Sequence, residues 1–411
     1  MKIKDFQTAG FVLFGLKSNI LLETNLFVLK PPNNIYVILN VCERRDAPCG
    51  SIVIIMYELN SKLKRVEPYD PIEGDYRIRL DANESYYNIN EEFGDKIAEE
   101  IKKIPLNRYP DPMASKAVKA FSEYYDVPEK YITAGNGSDE LISIIASCFL
   151  EKGDKILTLS PDFSMYAFYG SMYELNVETL QKEPNLQISI PKVISYCNNN
   201  KIKAVIFSNP CNPTSLGVTR QEIIRLVKNV LCLVIIDEAY MDFWDQSILD
   251  EIGNYDNLII LKTCSKAMGL AGIRMGFAVA GETITNALRS VKSPYNTDSI
   301  SQTICSTILS EKETLQTLCG NITASNKVLY EKLLELSKEY TRLEKVYESV
   351  TNFVFIKTPF AKEIYEKLLE RSIAIRYMGS YIRITAGNES ENNEVISALT
   401  EILAEMNERS E

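Results

Sequence analysis

The stretch Lys203-Ala204-Val205-Ile206-Phe207-Ser208-Asn209-Pro210-Cys211-Asn212-Pro213-Thr214 decides the fold. Its first half is a short, unbroken apolar run, the pattern of a strand covered on both faces. Its second half holds two Asn-Pro breakers, which stop the strand and start a loop at its carboxyl end. A helix is expected from Thr219, with Glu222 completing a capping box and Ile223, Leu226, Val227 and Val230 on one face. Outward from this unit lie further strand patterns at Lys155–Leu159, Leu233–Ile236, Leu258–Leu261 and, shorter, Phe277–Ala280. The alternation of strand and helix from about Thr133 predicts a doubly wound α/β domain with a mainly parallel sheet. Past Ser290 the pattern changes to long helices, Val328–Tyr340 and Ala361–Arg371, with strands at Phe353–Lys357 and Tyr381–Thr385. That predicts a second, smaller α+β domain.

Composition narrows the function. A chain of 411 residues, 45% apolar and 24% charged, suits two domains sharing a cleft. A net charge of −10 argues against a nucleic-acid surface, which needs a basic patch. No apolar run reaches the roughly 18 residues of a membrane span. Nine scattered cysteines without a CxxC pair read as reduced thiols of a cytoplasmic protein, with no metal site expected. The chain has no histidine, which excludes a Ser-His-Asp hydrolase and a histidine-ligated metal enzyme. Residues 1–55 form an atypical extension of short apolar bursts (Phe11–Gly15, Ile35–Val41, Ile52–Ile55). They read either as a real appendage or as translated upstream sequence with Met56 as the natural start, and the second reading is preferred.

Ligands of open α/β sheets gather beyond the carboxyl ends of the strands. Asn209–Thr214 follows one strand, Asp237-Glu238-Ala239-Tyr240 the next, and Thr263-Cys264-Ser265-Lys266, then Gly269, Gly272 and Arg274, a third. Gly135-Asn136-Gly137-Ser138-Asp139-Glu140 opens a helix, whose N-terminus suits a phosphate. A lysine, an aspartate, an arginine and such a helix end on one rim are the requirements of pyridoxal phosphate. The amine bonds the aldehyde, the acid keeps the ring nitrogen protonated, and the arginine neutralises phosphate.

On these motifs, from about Tyr57 to the C-terminus, the chain resembles the fold type I enzymes of the aspartate-aminotransferase superfamily, most closely the histidinol-phosphate aminotransferases. The decisive segments are Asn209–Thr214, Asp237–Tyr240 and Ser265-Lys-Ala-Met-Gly-Leu-Ala-Gly-Ile-Arg274. The resemblance implies that Lys266 carries the cofactor as a Schiff base and shuttles the proton. It implies that Asp237 pairs with the pyridine nitrogen, and that Asn212 and Tyr240 face the phenolate oxygen. Ser138, Asp139, Thr263, Ser265 and Arg274 would hold the phosphate, and Phe163 would stack on the ring. Tyr109 would reach the phosphate of a neighbouring subunit, so that a homodimer shares its active sites. Asn83, Arg376 and Arg383 would bind the small-molecule substrate. Ser215 departs from the family glycine, so an altered turn without loss of activity is expected.

The implied layout is an N-terminal arm with part of the small domain at 56–107, a large cofactor domain at 108–290, and the small domain at 291–411. The implied reaction converts imidazole-acetol phosphate and L-glutamate into L-histidinol phosphate and 2-oxoglutarate, a step of histidine biosynthesis. Transamination of aromatic or other amino acids, and decarboxylation of a phosphorylated amino acid, are the alternatives within the same fold. A non-enzymatic regulator would need a basic recognition helix that residues 1–55 lack.

Overall fold

The computed structural model describes residues 72–408 continuously, together with Asn60, Lys62 and the strands β1 (Val12–Gly15), β2 (Thr24–Lys30) and β3 (Val37–Cys42). The chain divides into two compact units, residues 1–69 and 70–411. In the first, β1, β2 and β3 form an antiparallel sheet in that order. Two of the three apolar bursts fall on β1 and β3, while Met56 and the third burst lie outside the described residues.

The second unit holds two sheets. Strand β4 (Ile78–Leu80) belongs to the smaller. The larger is built from β5 (Ile132–Asn136), β6 (Lys155–Ser160), β7 (Asn176–Gln181), β8 (Ala204–Ser208), β9 (Leu233–Asp237), β10 (Leu258–Thr263) and β11 (Met275–Ala280). Their order is β5-β11-β10-β9-β8-β6-β7, parallel except for β11, which runs antiparallel to both its neighbours. Every residue of β8, β10 and β11 is buried. Alternate side chains feed two cores: Val205, Phe207, Val234 and Ile236 on one face, Ala204, Ile206 and Ile235 on the other. That double coverage explains the continuous apolar runs.

Three details differ from the sequence expectation. The strand expected at Phe277–Ala280 begins at Met275. Strands β5 and β7 were not anticipated, because β5 carries a glycine inside a turn-like segment and β7 is a half-exposed, polar edge strand. The helix Arg220–Asn229 starts after Thr219 without a capping box, and the Thr219 side chain makes no cap bond. Glu222 pairs instead with Arg225 at 3.4 Å, and the Arg220 N–H donates to Gln246 Oε1 at 3.1 Å. The first helical N–H thus has a tertiary acceptor.

The smaller sheet adds β12 (Lys345–Val346), β13 (Phe353–Lys357), β14 (Ile373–Tyr377) and β15 (Tyr381–Thr385) in the order β12-β13-β15-β14-β4. Its core gathers Ile78, Leu80, Val354, Ile356, Ile382 and Ile384 under the helices Ala361–Glu370 and Glu389–Glu408. The larger core extends past residue 290 to take in Cys305, Ile308, Leu309 and Leu315. It also receives Ile89, Phe93 and Ile97 from the helix Ile89–Ile101. The helix Lys312–Glu339 spans both, with Leu315 in the larger core and Leu329, Leu333 and Leu336 in the smaller. The two cores are therefore tied by one continuous element of 28 residues.

Candidate active site

The parallel strands deliver their chemistry to one rim. Ser208 ends β8, Asp237 ends β9 in register with it, and Thr263 ends β10. Pro161–Phe163 follow β6, and Gly137–Ser138 follow β5. Asp237 is buried, and its carboxylate accepts the Tyr166 hydroxyl at 2.8 Å and the Ala239 N–H at 3.1 Å. Lys266 donates from Nζ to the Ala82 carbonyl at 2.9 Å and lies 5.8 Å from the centre of the Tyr240 ring. The two groups are thus held by different partners.

An anion cradle sits at the start of the helix Gly137–Cys148. Arg274 reaches Ser265 Oγ at 3.3 Å and Asp139 Oδ2 at 3.7 Å. The Thr263 hydroxyl donates to Ser265 Oγ at 3.0 Å and accepts the Ser265 N–H at 3.1 Å, which fixes the loop before Lys266. Two glycines keep the cradle open. A Cβ on Gly276 would stand 2.5 Å from the Ser138 nitrogen, and one on Gly137, at φ +74°, 2.7 Å from Arg274 Nη2. Helix-end amides, two hydroxyls and a guanidinium make a donor set suited to a phosphate dianion.

Burial raises the Asp237 carboxyl to about 6, the Tyr166 and Ala239 bonds pull it partly back, and the neighbouring acids Asp162 and Asp139 push it up again. Tyr166 is the functional partner that sequence reading missed. Its place one turn after Asp162, on the helix Met165–Met172 beside β6, was the available signal. Tyr166→Phe is expected to raise the Asp237 pKa by about one to two units, since a hydrogen bond to a charged group contributes roughly 1.5–3 kcal/mol. Following the Asp237 carboxyl carbon by NMR through a pH titration checks this, and an unmoved midpoint contradicts it.

On the other side of the rim, Asn83 Nδ2 donates to the Tyr240 hydroxyl oxygen at 2.9 Å, and the Tyr240 ring meets Phe353 edge-on. Asn83 is itself held by Thr385 Oγ1 at 3.0 Å and by Asn352 Nδ2 at 3.0 Å. Arg383 points away from the small core that takes Ile382 and Ile384, as the strand alternation predicts. It donates to Asn212 Oδ1 and, at 2.6 Å, to the Asp81 carbonyl. Arg376 stands directly opposite Arg383 on β14, so both side chains share one face of the sheet. Phe163 is partly buried and meets Tyr166 edge-on at 5.5 Å.

Tyr109 stands apart, 79% exposed and stacked on Tyr295 at 4.5 Å. Ser215 adopts φ 61°, the left-handed conformation that glycine takes without strain. Its hydroxyl donates to the Glu348 carbonyl at 2.9 Å, and its own carbonyl accepts the Val350 N–H at 3.1 Å. The serine thus occupies a glycine-like turn and adds a tie to the smaller sheet. No metal-binding cluster of acidic and cysteine side chains occurs among the described residues.

Residues 77–399 match the aminotransferase class I and II family. The chain is 41% identical to the histidinol-phosphate aminotransferase of Clostridium novyi (strain NT), over 82% of this chain and 95% of that one. It is 38% identical to the histidinol-phosphate aminotransferase of Clostridium kluyveri (strain NBRC 12016), over 83% and 97%. Its fold is similar to that of histidinol-phosphate aminotransferase from Sinorhizobium meliloti, solved in complex with pyridoxal-5'-phosphate. There the TM-score is 0.76 at 18% identity, covering 86% of this chain and 99% of that one.

Proposed function

The chain belongs to the class I and II aminotransferase family, and from that premise we propose that it transfers the amino group of L-glutamate to imidazole-acetol phosphate with pyridoxal phosphate as cofactor. The products are L-histidinol phosphate and 2-oxoglutarate. The observation that carries the reading is Asp237, a buried carboxyl at the strand-end rim with the acids Asp162 and Asp139 near it. A cationic pyridine nitrogen is the partner that such a group favours. The relatives' names support the phosphoester acceptor.

Bound pyridoxal phosphate supplies an aldehyde that joins amines and a protonated ring that draws an electron pair from the substrate. Asp237 holds the proton on the ring nitrogen. Lys266 takes the proton from the substrate Cα. Because Asn83 occupies a lone pair of the Tyr240 oxygen, the Tyr240 proton is free to point at the ring's phenolate oxygen. Because Arg383 holds Asn212 Oδ1, the Asn212 amide turns its N–H groups outward as donors. Ser265, Arg274 and the amides near Ser138 hold the phosphate, with Thr263 and Asp139 orienting the first two. Phe163 would stack on the ring of the bound cofactor. Arg376 and Arg383, two cations opposed across a ladder, gain most when an anion sits between them. One clamp then serves the glutamate carboxylate and the phosphoester in turn.

The test is a panel of amino acceptors given to the reconstituted enzyme with glutamate. A kcat/KM for imidazole-acetol phosphate about 100-fold above aromatic and dicarboxylic keto acids is expected, a margin of roughly 2.7 kcal/mol. Equal rates, or release of carbon dioxide, would favour the other reactions of this fold. Arg383→Gln is expected to lower kcat/KM for both substrates by about 10- to 100-fold, the usual worth of a charge-assisted bond. Steady-state kinetics with each substrate varied checks it, and a loss confined to one substrate would break the shared-clamp idea.

The active unit is a homodimer. Leu106, Tyr109, Met113, Val291, Tyr295 and Ile300 are large apolar side chains left exposed, and Tyr109 and Tyr295 are already stacked. The exposed stacked pair supports burial against a second copy, with Tyr109 reaching the partner's phosphate. Sedimentation is expected to give twice the chain mass, and a monomer at micromolar concentration would refute it. The seven described cysteines are free thiols, which supports a reducing, cytoplasmic setting. No described helix is long and apolar enough to cross a membrane.

A further inference from the structure

Beneath the loop that carries Asn212 lies a buried ionic cluster whose lysine and cysteine have no part in the roles above. Lys182 follows β7, and its side chain is 1% exposed; that of Asp162 is 2% exposed. The Lys182 amine stands 2.8 Å from Cys211 Sγ and 3.5 Å from Asp162 Oδ2. The other Asp162 oxygen accepts from the Ser208 hydroxyl and from the Phe163 N–H at 2.8 Å. Leu186, Ile188 and Thr214 pack around the pair.

We propose that Lys182 and Cys211 are an oxidant-responsive modification site, where peroxide joins the two side chains through a nitrogen–sulfur bond. The chemistry follows from the contact. Peroxide oxidises cysteine sulfur to a sulfenic acid, and here an amine already stands against that sulfur. Cys211 sulfur attacks hydrogen peroxide: an S–O bond forms, the O–O bond breaks, and hydroxide leaves to become water. Sulfur is oxidised by two electrons and the peroxide is reduced.

The sulfenic acid so formed is uncharged. Burial lowers the Lys182 pKa, while Cys211 and Asp162 together hold it above its ordinary value. Loss of the ammonium proton to solvent frees the amine. The free amine then attacks sulfur, an N–S bond forms, and the S–O bond breaks with loss of water. This parallels the known condensation of sulfenic acids with nitrogen. One thiol, one amine and one hydrogen peroxide yield the link and two waters.

The test uses the holoenzyme treated with hydrogen peroxide, then digested without reductant and mapped by mass spectrometry. The expected product is a cross-linked pair of peptides containing Lys182 and Cys211, lighter by two hydrogens than the separate peptides and released by a thiol reductant. Lys182→Met should lose the link and let Cys211 pass to the sulfinic acid; if that variant does not fold, the mapping of the unaltered enzyme decides alone. Three results would overturn the proposal. They are a Cys211 that stays reduced while the exposed Cys148 is oxidised, one that advances to the sulfinic acid beside an unmodified Lys182, and one that pairs with another cysteine.

Discussion

Lys266→Ala is expected to cut the rate of amino transfer by about 10⁴-fold, the upper range for a group that moves the proton in the rate-determining step. The chain has no histidine that could take over the task near neutral pH. The Lys266 amine donates to one backbone carbonyl, that of Ala82, so its removal leaves a single acceptor to be met by water. Stability should therefore change little. Single-turnover kinetics with glutamate, together with thermal unfolding, would measure both. Undiminished turnover in a folded variant would remove Lys266 from the mechanism.

Asp237→Asn is expected to act in opposite directions on activity and on stability. Losing the charge that holds the ring nitrogen protonated should lower kcat by about 10²- to 10³-fold, since breaking a buried ion pair costs roughly 3–5 kcal/mol. Without cofactor the same carboxylate is a burden. Its folded pKa of about 6 lies above the ordinary 3.8, so the folded state binds more protons between those values. Stability is then highest below pH ~4 and falls as pH rises to ~6, by up to about 3 kcal/mol from this group. The asparagine variant has no such loss, and the Tyr166 hydroxyl can turn to accept from its amide. The cofactor-free variant should therefore be the more stable protein at pH 7 and lose its advantage near pH 4. Denaturant titrations of both apoproteins across that range give the answer, and a pH-independent difference would mean that Asp237 does not titrate as argued. Activity at the expense of stability is the expected signature of a site built for a ligand.

Much of the fold was legible because the larger sheet is covered on both faces. That coverage makes β8, β9 and β10 continuous apolar runs, and each run ends at a polar residue or a breaker. Strand β7 left no such mark, since an edge strand with one wet face has no need of apolar residues along its length. The capping box at Thr219 was a sound local reading, yet the Thr219 side chain makes no cap bond, and the first helical N–H finds Gln246, 26 residues away. Among site residues, Lys266, Asp237 and Arg274 stood out by following strands. The smaller-sheet residues Asn83, Arg376 and Arg383 came through resemblance, because nothing in their immediate sequence says which element they will face.

The sequence alone determined that the groups following the strands share one rim, because a parallel sheet puts every strand's carboxyl end at one edge. It also excluded histidine-based catalysis by composition. Only the tertiary structure decided what those groups are worth. Tyr166 reaches Asp237 across 71 residues, Arg383 reaches Asn212 across 171, and Lys182 meets Cys211 across 29. Desolvation and charge pairing depend on what is packed around a group in space, and the chain places those neighbours only when its two cores close.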